Sequence, residues 1–278
     1  MIDVIETTGQ SIIQHGPAND RVYLMKLHPE DASGIVEELD RRASSSGYSK
    51  VFAKVPAWSA ERFLEAGYRQ EAAIPRFFPD GAGACFMGKY FSTERRLEQK
   101  PQLVQEVLEV SGAQGPIRPP APFPKGFSAR VAGEEDSVEM AELYSKVFAT
   151  YPFPIHDPDF LRRAMNGSTI FFGVWKDGKI IALSSAEMDP SSHSVEMTDF
   201  ATLPEYRGHG LALNLLQQME EAVHSLGIRS LFTIARAYSF GMNITFARDG
   251  YRFGGTLTNN TNISGSLESM NVWYKTLA

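Results

Sequence analysis

The stretch "FATLPEYRGHGLALNLLQQMEEAV", Phe200 to Val223, leaves a β-like run and enters an amphipathic helix through "RGHG". No Ser, Thr, Asp or Asn stands at that junction to cap the helix. The first backbone N–H groups of a helix have no intrahelical acceptor and carry the positive end of its dipole. Something other than a side chain must therefore meet them. Gly208 and Gly210 remove Cβ atoms and permit unusual dihedrals, and Arg207 adds fixed charge. Together these features describe a cradle for an anion, with most contacts from backbone amides. A two-glycine turn by itself also serves any sharp loop, so its context decides. It is no Walker loop, because no Lys-Ser/Thr follows, and no dinucleotide turn, because the third glycine is missing.

Working outward, the second half reads as an α/β (α+β) domain. "FSARV" is a strand and "EEDSVEMAELYSKVF" an amphipathic helix. "YPFPIHD" is a loop, and "DPDFLRRAMNG" a helix with Pro158 in its first turn and Gly167 past its end. "TIFFGVWKDGKIIALSSAEMD" is a hairpin about Asp177-Gly178, and "SVEMTDFATL" the strand that feeds the glycine loop. Strand, helix and a final strand pair follow.

The first half shows the same order without its opening. "DRVYLMKLH" and "KVFAKVPAW" are strands around the helix "DASGIVEELDRRASSSG". The helix "SAERFLEAG" then leads to the strands "YRQEAAIPRFF" and "GACFMGKYF". "FLEAGYR" (63–69) matches "FARDGYR" (246–252), which suggests a duplicated unit. At the helix start this half has "LHPEDASG" in place of "YRGHGLA", so the cradle is absent from it. "SGAQGPIRPPAPFPKG", Ser111 to Gly126, carries five prolines and three glycines and reads as a linker behind a helical connector. Residues 1–110, 111–126 and 127–278 are thus a first half with connector, a linker and a second domain that carries the cradle.

Composition narrows the function. A chain of 278 residues with 43% hydrophobic and 22% charged residues is globular, and a net charge of −6 argues against a nucleic-acid footprint. Cys85 is the only cysteine and the six histidines lack ligand spacing, so no disulfide or metal site is expected. No signal peptide or membrane-length apolar run is present, which points to a cytoplasmic protein with no membrane partner.

Arg207-Gly208-His209-Gly210-Leu211-Ala212 between a strand and a long helix, in this order of elements, resembles the GNAT acetyltransferases. The resemblance covers about residues 127–278. It implies that the loop, His209, Leu211 and Ala212 included, holds the pyrophosphate of acetyl-CoA. It also implies that the preceding strand splays from its neighbour, so that Phe200, Ala201 and Thr202 offer main-chain groups to the acetyl carbonyl and pantetheine. An Asn on the CoA arm maps to Asn243. The tyrosine that usually protonates the leaving thiolate maps to Phe246, which leaves Tyr251, Tyr238 or water for that role. Glu196 and Asp199 are the available general bases, and strict alternation puts them on opposite faces of their strand.

Across the whole chain, "NDRVYLMKL", "KVFAKVPAW", "EMTDFATLPEYRG" and "NNTNISGSLESMNVWYK" look like the β-lysine N6-acetyltransferases. That likeness implies a small diamino-acid acceptor and an acetylated product that serves as an osmolyte. Glu196, Asn259, Asn260, Glu268, Arg236 and Arg252 are candidate acceptor contacts, with Tyr151 and Phe153 along the methylene chain. The first half then closes the pocket, with Glu71 and Arg76 reaching substrate, or mediates a homodimer. Another amine as acceptor, and a catalytically silent acyl-CoA-binding regulator, stay open as alternatives.

Overall fold

Each half contains a strand–helix–strand unit of the kind expected around the glycine loop, and one sheet joins the two. The computed structural model describes residues 3–115 and 123–277. The first half comprises β1 (Val4–Thr8), β2 (Ser11–Gly16), β3 (Arg21–Lys26), α1 (Ile35–Ser46), β4 (Lys50–Pro56), α2 (Ala60–Glu65), β5 (Arg69–Ile74) and β6 (Ala84–Tyr90). The connector is α3 (Thr93–Arg96) and α4 (Pro101–Gly112). The second half opens with β7 (Phe127–Val131), α5 (Ser137–Val147), α6 (Pro158–Met165), β8 (Thr169–Lys176) and β9 (Lys179–Asp189). It continues with β10 (Ser194–Thr202), α7 (Leu211–Ser225), β11 (Ser230–Arg236), α8 (Phe240–Arg248), β12 (Arg252–Ile263) and β13 (Ser266–Thr276).

The strand order among the described residues is β1-β2-β3-β4-β6-β5-β12-β13-β11-β10-β9-β8-β7. Read outward from the β5–β12 junction, both halves repeat one topology, with a parallel pair at β3–β4 and at β10–β11. The shared F-x-x-x-G-Y-R recurs as one geometry. Phe63 and Tyr68 stack edge-on at 5.1 Å, as do Phe246 and Tyr251 at 5.1 Å. Gly67 and Gly250 both turn at positive φ, +85° and +84°.

Two details differ from expectation. The hairpin β1–β2 supplies the counterpart of β8–β9, so the first half lacks only β7, α5 and α6 of the opening. β1 is an almost fully exposed edge strand, so no apolar alternation marks it. The helix α4 also runs to Gly112, two residues into the proline-rich stretch. Residues 116–122 of that stretch lie outside the described residues.

Apolar side chains of α7 (Leu211, Leu215, Leu216, Met219, Val223) bury against β8–β11, which anchors the helix that follows the glycine loop. A separate core joins the halves, packing Tyr23, Phe52, Phe77 and Phe86 on Phe232, Leu257, Met270 and Val272. Polar bonds reinforce that junction. β12 slips register against β13 between Leu257 and Thr261. There Lys50 Nζ donates to the Thr258 carbonyl (2.8 Å), Arg95 Nε to that of Asn259 (2.7 Å) and an Arg21 Nη to that of Asn260 (2.5 Å). Three buried cations of the first half and connector thus satisfy carbonyls in the bulge of the second. No helix among the described residues is long and apolar enough to cross a membrane.

Candidate active site

β10 and β11 pair for only three positions, Ser194–Glu196 against Ser230–Phe232, and then separate. β10 stays on β9 and β11 on β13, so a fork opens between them. At the fork β10 bulges: its register on β9 slips between Thr198 and Ala201, and Asp199 sits at φ +55°. A cavity of about 1090 Å³ fills the fork and continues between the halves. This is the splay expected of the strand before the loop.

At one end of the cavity stands the glycine loop. Gly208 and Gly210 take φ of +84° and +71°, and α7 starts at Gly210 with no side-chain cap. Apart from the glycine's own local backbone, no atom of the described residues lies within 4 Å of where a Cβ would stand at either glycine. The first intrahelical bond is from Asn214 N to Gly210 O (3.1 Å), so the amides of Leu211, Ala212 and Leu213 precede the helical ladder. Arg207 Nε donates to Thr202 O (3.3 Å), which ties the loop to the strand end. Thr202, Arg207, Gly208, Gly210, Leu211 and Ala212 all line the cavity. Open amides, dipole and a neighbouring guanidinium fit a pyrophosphate.

The other expected cofactor contacts divide. Phe200 and Phe246 line the cavity and stack edge-on at 5.6 Å. Ala201 turns into the core beside α5, and the exposed His209 packs near Phe127 at 6.1 Å. Asn243 is fully buried and committed elsewhere. Its Nδ2 donates to Arg236 O and Ser239 O, while its Oδ1 accepts from Asn271 and Trp273. Tyr251 lies behind Phe246 and does not reach the cavity; burial, then the Glu220 carboxylate, pushes its hydroxyl well above the ordinary range. The Tyr238 hydroxyl is spent on Glu98 (2.5 Å).

The general-base candidates come together, contrary to strict alternation. Because Asp199 occupies the bulge, period two breaks there and both Glu196 and Asp199 line one cavity. Asp199 is held in place by two hydroxyls, accepting from Tyr151 (2.5 Å) and Ser185 (2.7 Å). Burial raises its pKa, and those two bonds oppose the rise. Glu196 is raised to about 7 by burial, with Lys54 opposing and Asp199 reinforcing the shift. Glu187, directly opposite Glu196 in the β9–β10 ladder, is a third acid in the cavity. Burial, then Asp199 and Glu196, pushes it well above the usual carboxylate range. Like charges facing each other across an antiparallel pair are destabilising, so a strand-pairing scheme would have flagged Glu187 as functional.

Among the acceptor candidates, Tyr151, Phe153, Arg236 and Asn260 line the cavity. Arg236 is held by both oxygens of Glu268, at 2.9 and 2.7 Å. Asn259 faces away, its amide donating to Arg95 O (3.0 Å) and Leu97 O (2.7 Å). Arg252 is exposed on the far strand. Glu71 is consumed by Lys50, Tyr90 and the Thr258 amide, and Arg76 is exposed at a turn with φ +50°. The first half reaches the cavity through other residues, Arg21, Tyr23, Phe52 and Lys54. They alternate along β3 and β4, but only the join between the halves shows which face of those strands meets the cavity. No group of three or more His, Cys, Asp or Glu among the described residues could hold a metal ion.

Residues 138–242, which span the fork and the glycine loop, match the acetyltransferase (GNAT) family. A β-lysine N6-acetyltransferase from Methanococcus maripaludis is 41% identical over 265 residues, 95% of this chain and 96% of that protein. The N-acetyltransferase YodP of Bacillus subtilis is 38% identical over the full length of both. A β-lysine N6-acetyltransferase from Methanosarcina mazei is 28% identical over 89% of this chain and 97% of that protein. The similarity extends through the first half, beyond the segment that carries the glycine loop. The chain therefore belongs to the GNAT family, as an acetyl-CoA-dependent N-acetyltransferase similar along its length to the β-lysine N6-acetyltransferases.

Proposed function

We propose that this enzyme acetylates the terminal N6 amine of β-lysine, and that the product serves as a compatible solute. One observation carries the reading: a cavity of small-molecule size, walled by both halves, gathers Glu187, Glu196 and Asp199 at the fork. Three carboxylates at one place, Asp199 buried and Glu187 and Glu196 half-buried, favour a cationic guest, because an ammonium relieves both their desolvation and their mutual repulsion. The relatives named for β-lysine match through the half that supplies the far wall.

Acetyl-CoA supplies the acetyl group as a thioester. The chain supplies position, a base and dipoles. The Leu211–Leu213 amides and Arg207 hold the pyrophosphate end. Glu196 takes the proton from the acceptor ammonium, since its pKa of about 7 lies near working pH. Asp199, fixed by Tyr151 and Ser185, stands at the same fork to steady the ammonium. Main-chain groups of β10 past Glu196, freed from β11, are available to the acetyl oxygen as negative charge builds there. With Phe246 at the customary acid position and Tyr251 outside the cavity, the departing thiolate takes its proton from water.

A turnover panel tests this. With acetyl-CoA and a thiol-release readout, β-lysine is expected to exceed α-lysine, spermidine and a lysyl peptide in kcat/KM by at least about tenfold. Equal or better use of α-lysine overturns the acceptor assignment. Tight acetyl-CoA binding with no thiol released by any amine identifies a silent acyl-CoA-binding protein instead.

A further inference from the structure

Arg21 is buried, 3% exposed, and lines the same cavity as the acids. Its five N–H groups are only partly used. They donate to Asn260 O, Thr261 Oγ1 (3.1 Å) and Gln14 Oε1 (3.3 Å), while Nε has no partner among the described residues. Three other buried or half-buried cations each have a carboxylate: Lys50 has Glu71, Arg95 has Asp20 and Arg236 has Glu268. Arg21 makes no ion pair among the described residues; Asp3 and Glu196 act on it only from a distance. Lys54 is a different case, since Glu196, Asp189 and Glu187 all bear on its charge. Beside Arg21, Asn260 Oδ1 is a buried acceptor with no donor among the described residues, and Asn260 also lines the cavity. Gln14 links this corner to the acceptor loop by donating to Pro152 O (2.9 Å).

A buried cation without a counter-ion and an acceptor without a donor both cost stability unless a ligand completes them. We infer that Arg21, beside Asn260, forms a head-group site for an amino-acid acceptor, with the Arg21 guanidinium taking its carboxylate. The distal amine then reaches Glu196 at the fork. The inference deepens, and rests on, the assignment of a small amine as acceptor. It restricts that class to zwitterions carrying a second, terminal amine. A polyamine would leave Arg21 unpaired and set a second cation against it.

The test compares acceptors that differ only at the head: β-lysine, its neutral carboxamide 3,6-diaminohexanamide, and 1,4-diaminopentane, which lacks the carboxylate. Full-length wild-type enzyme is expected to favour β-lysine in kcat/KM by about a hundredfold over either analogue. In R21Q that preference should fall below about fivefold, mostly through KM for β-lysine, with KM for acetyl-CoA held near wild type. R21K, which keeps charge but loses the planar fork, should fall between. A wild-type preference near one, or R21Q with the wild-type preference, overturns the site. If R21Q does not fold, the wild-type carboxamide comparison and R21K decide. If α-lysine replaces β-lysine as acceptor, the same comparison against 1,5-diaminopentane applies. Selectivity there upholds the head-group site while the β-lysine assignment fails; a polyamine acceptor, or no amine acceptor at all, overturns both.

Discussion

A base that must deprotonate an ammonium works best when its own pKa lies near the operating pH. Glu196 meets that condition at about 7, because burial outweighs the pull of Lys54. The rate in kcat/KM for the amine is therefore expected to rise through pH 7. E196Q should lose that inflection and about a hundredfold in kcat, with KM for acetyl-CoA little altered; a pH–rate series on both proteins checks it. Stability should move the opposite way. The folded protein holds the Glu196 proton more tightly than the unfolded chain does. Its stabilising effect is thus complete below pH 4.5 and is lost as pH rises through about 7. E196Q should accordingly raise the melting temperature of the unliganded protein at pH 8, by about 1–2 kcal/mol of stability, and not at pH 4.5. Both acids at the fork were readable as candidates. Their shared face was not, because the bulge that turns Asp199 inward depends on how β9 pairs with β10. Glu187 escaped for the same reason.

At the scale of the element, α7 has a bare N-terminus and α1 does not present the same one. Gly34 precedes α1 at φ −121°, and Glu30 and Asp31 lie in the turn before it, where an anion would be repelled. One acetyl-CoA per chain is expected by calorimetry. Gly210→Val should weaken that binding at least tenfold, since φ +71° is strained for a β-branched residue and its side chain would enter the open cradle. Wild-type affinity in G210V would remove the pyrophosphate from this loop. The cradle was legible from "RGHG" because helix-terminus chemistry is local. Asn243 shows the limit of reading by motif. Its side chain bridges β11, α8 and β13 through four hydrogen bonds, and only the packed sheet shows that none remains for cofactor.

For the whole molecule, the shared F-x-x-x-G-Y-R suggested a repeat, and the two halves have matching strand orders. Which surface the first half offers depends on the β5–β12 junction, which pairs through Gly255 and Ala72. Gly255 sits at φ +142°, with the Glu71 carbonyl 2.2 Å from where a Cβ would stand, so only glycine admits this contact. The junction makes the halves interdependent. Without residues 3–115, the Thr258, Asn259 and Asn260 carbonyls lose Lys50, Arg95 and Arg21, at roughly 1–3 kcal/mol for each that stays buried. Phe232, Leu257, Met270 and Val272 lose apolar cover worth roughly 1.5–3 kcal/mol each. The sum rivals the roughly 5–15 kcal/mol that holds an ordinary domain together. We therefore expect a fragment of residues 120–278 to show no cooperative thermal transition by circular dichroism and no acetyl transfer to β-lysine. A fragment that melts cooperatively but has lost β-lysine turnover would confine the first half to completing the pocket. One with full turnover would show that Arg21, Tyr23, Phe52 and Lys54 are dispensable, and that the acceptor is held by the second half alone.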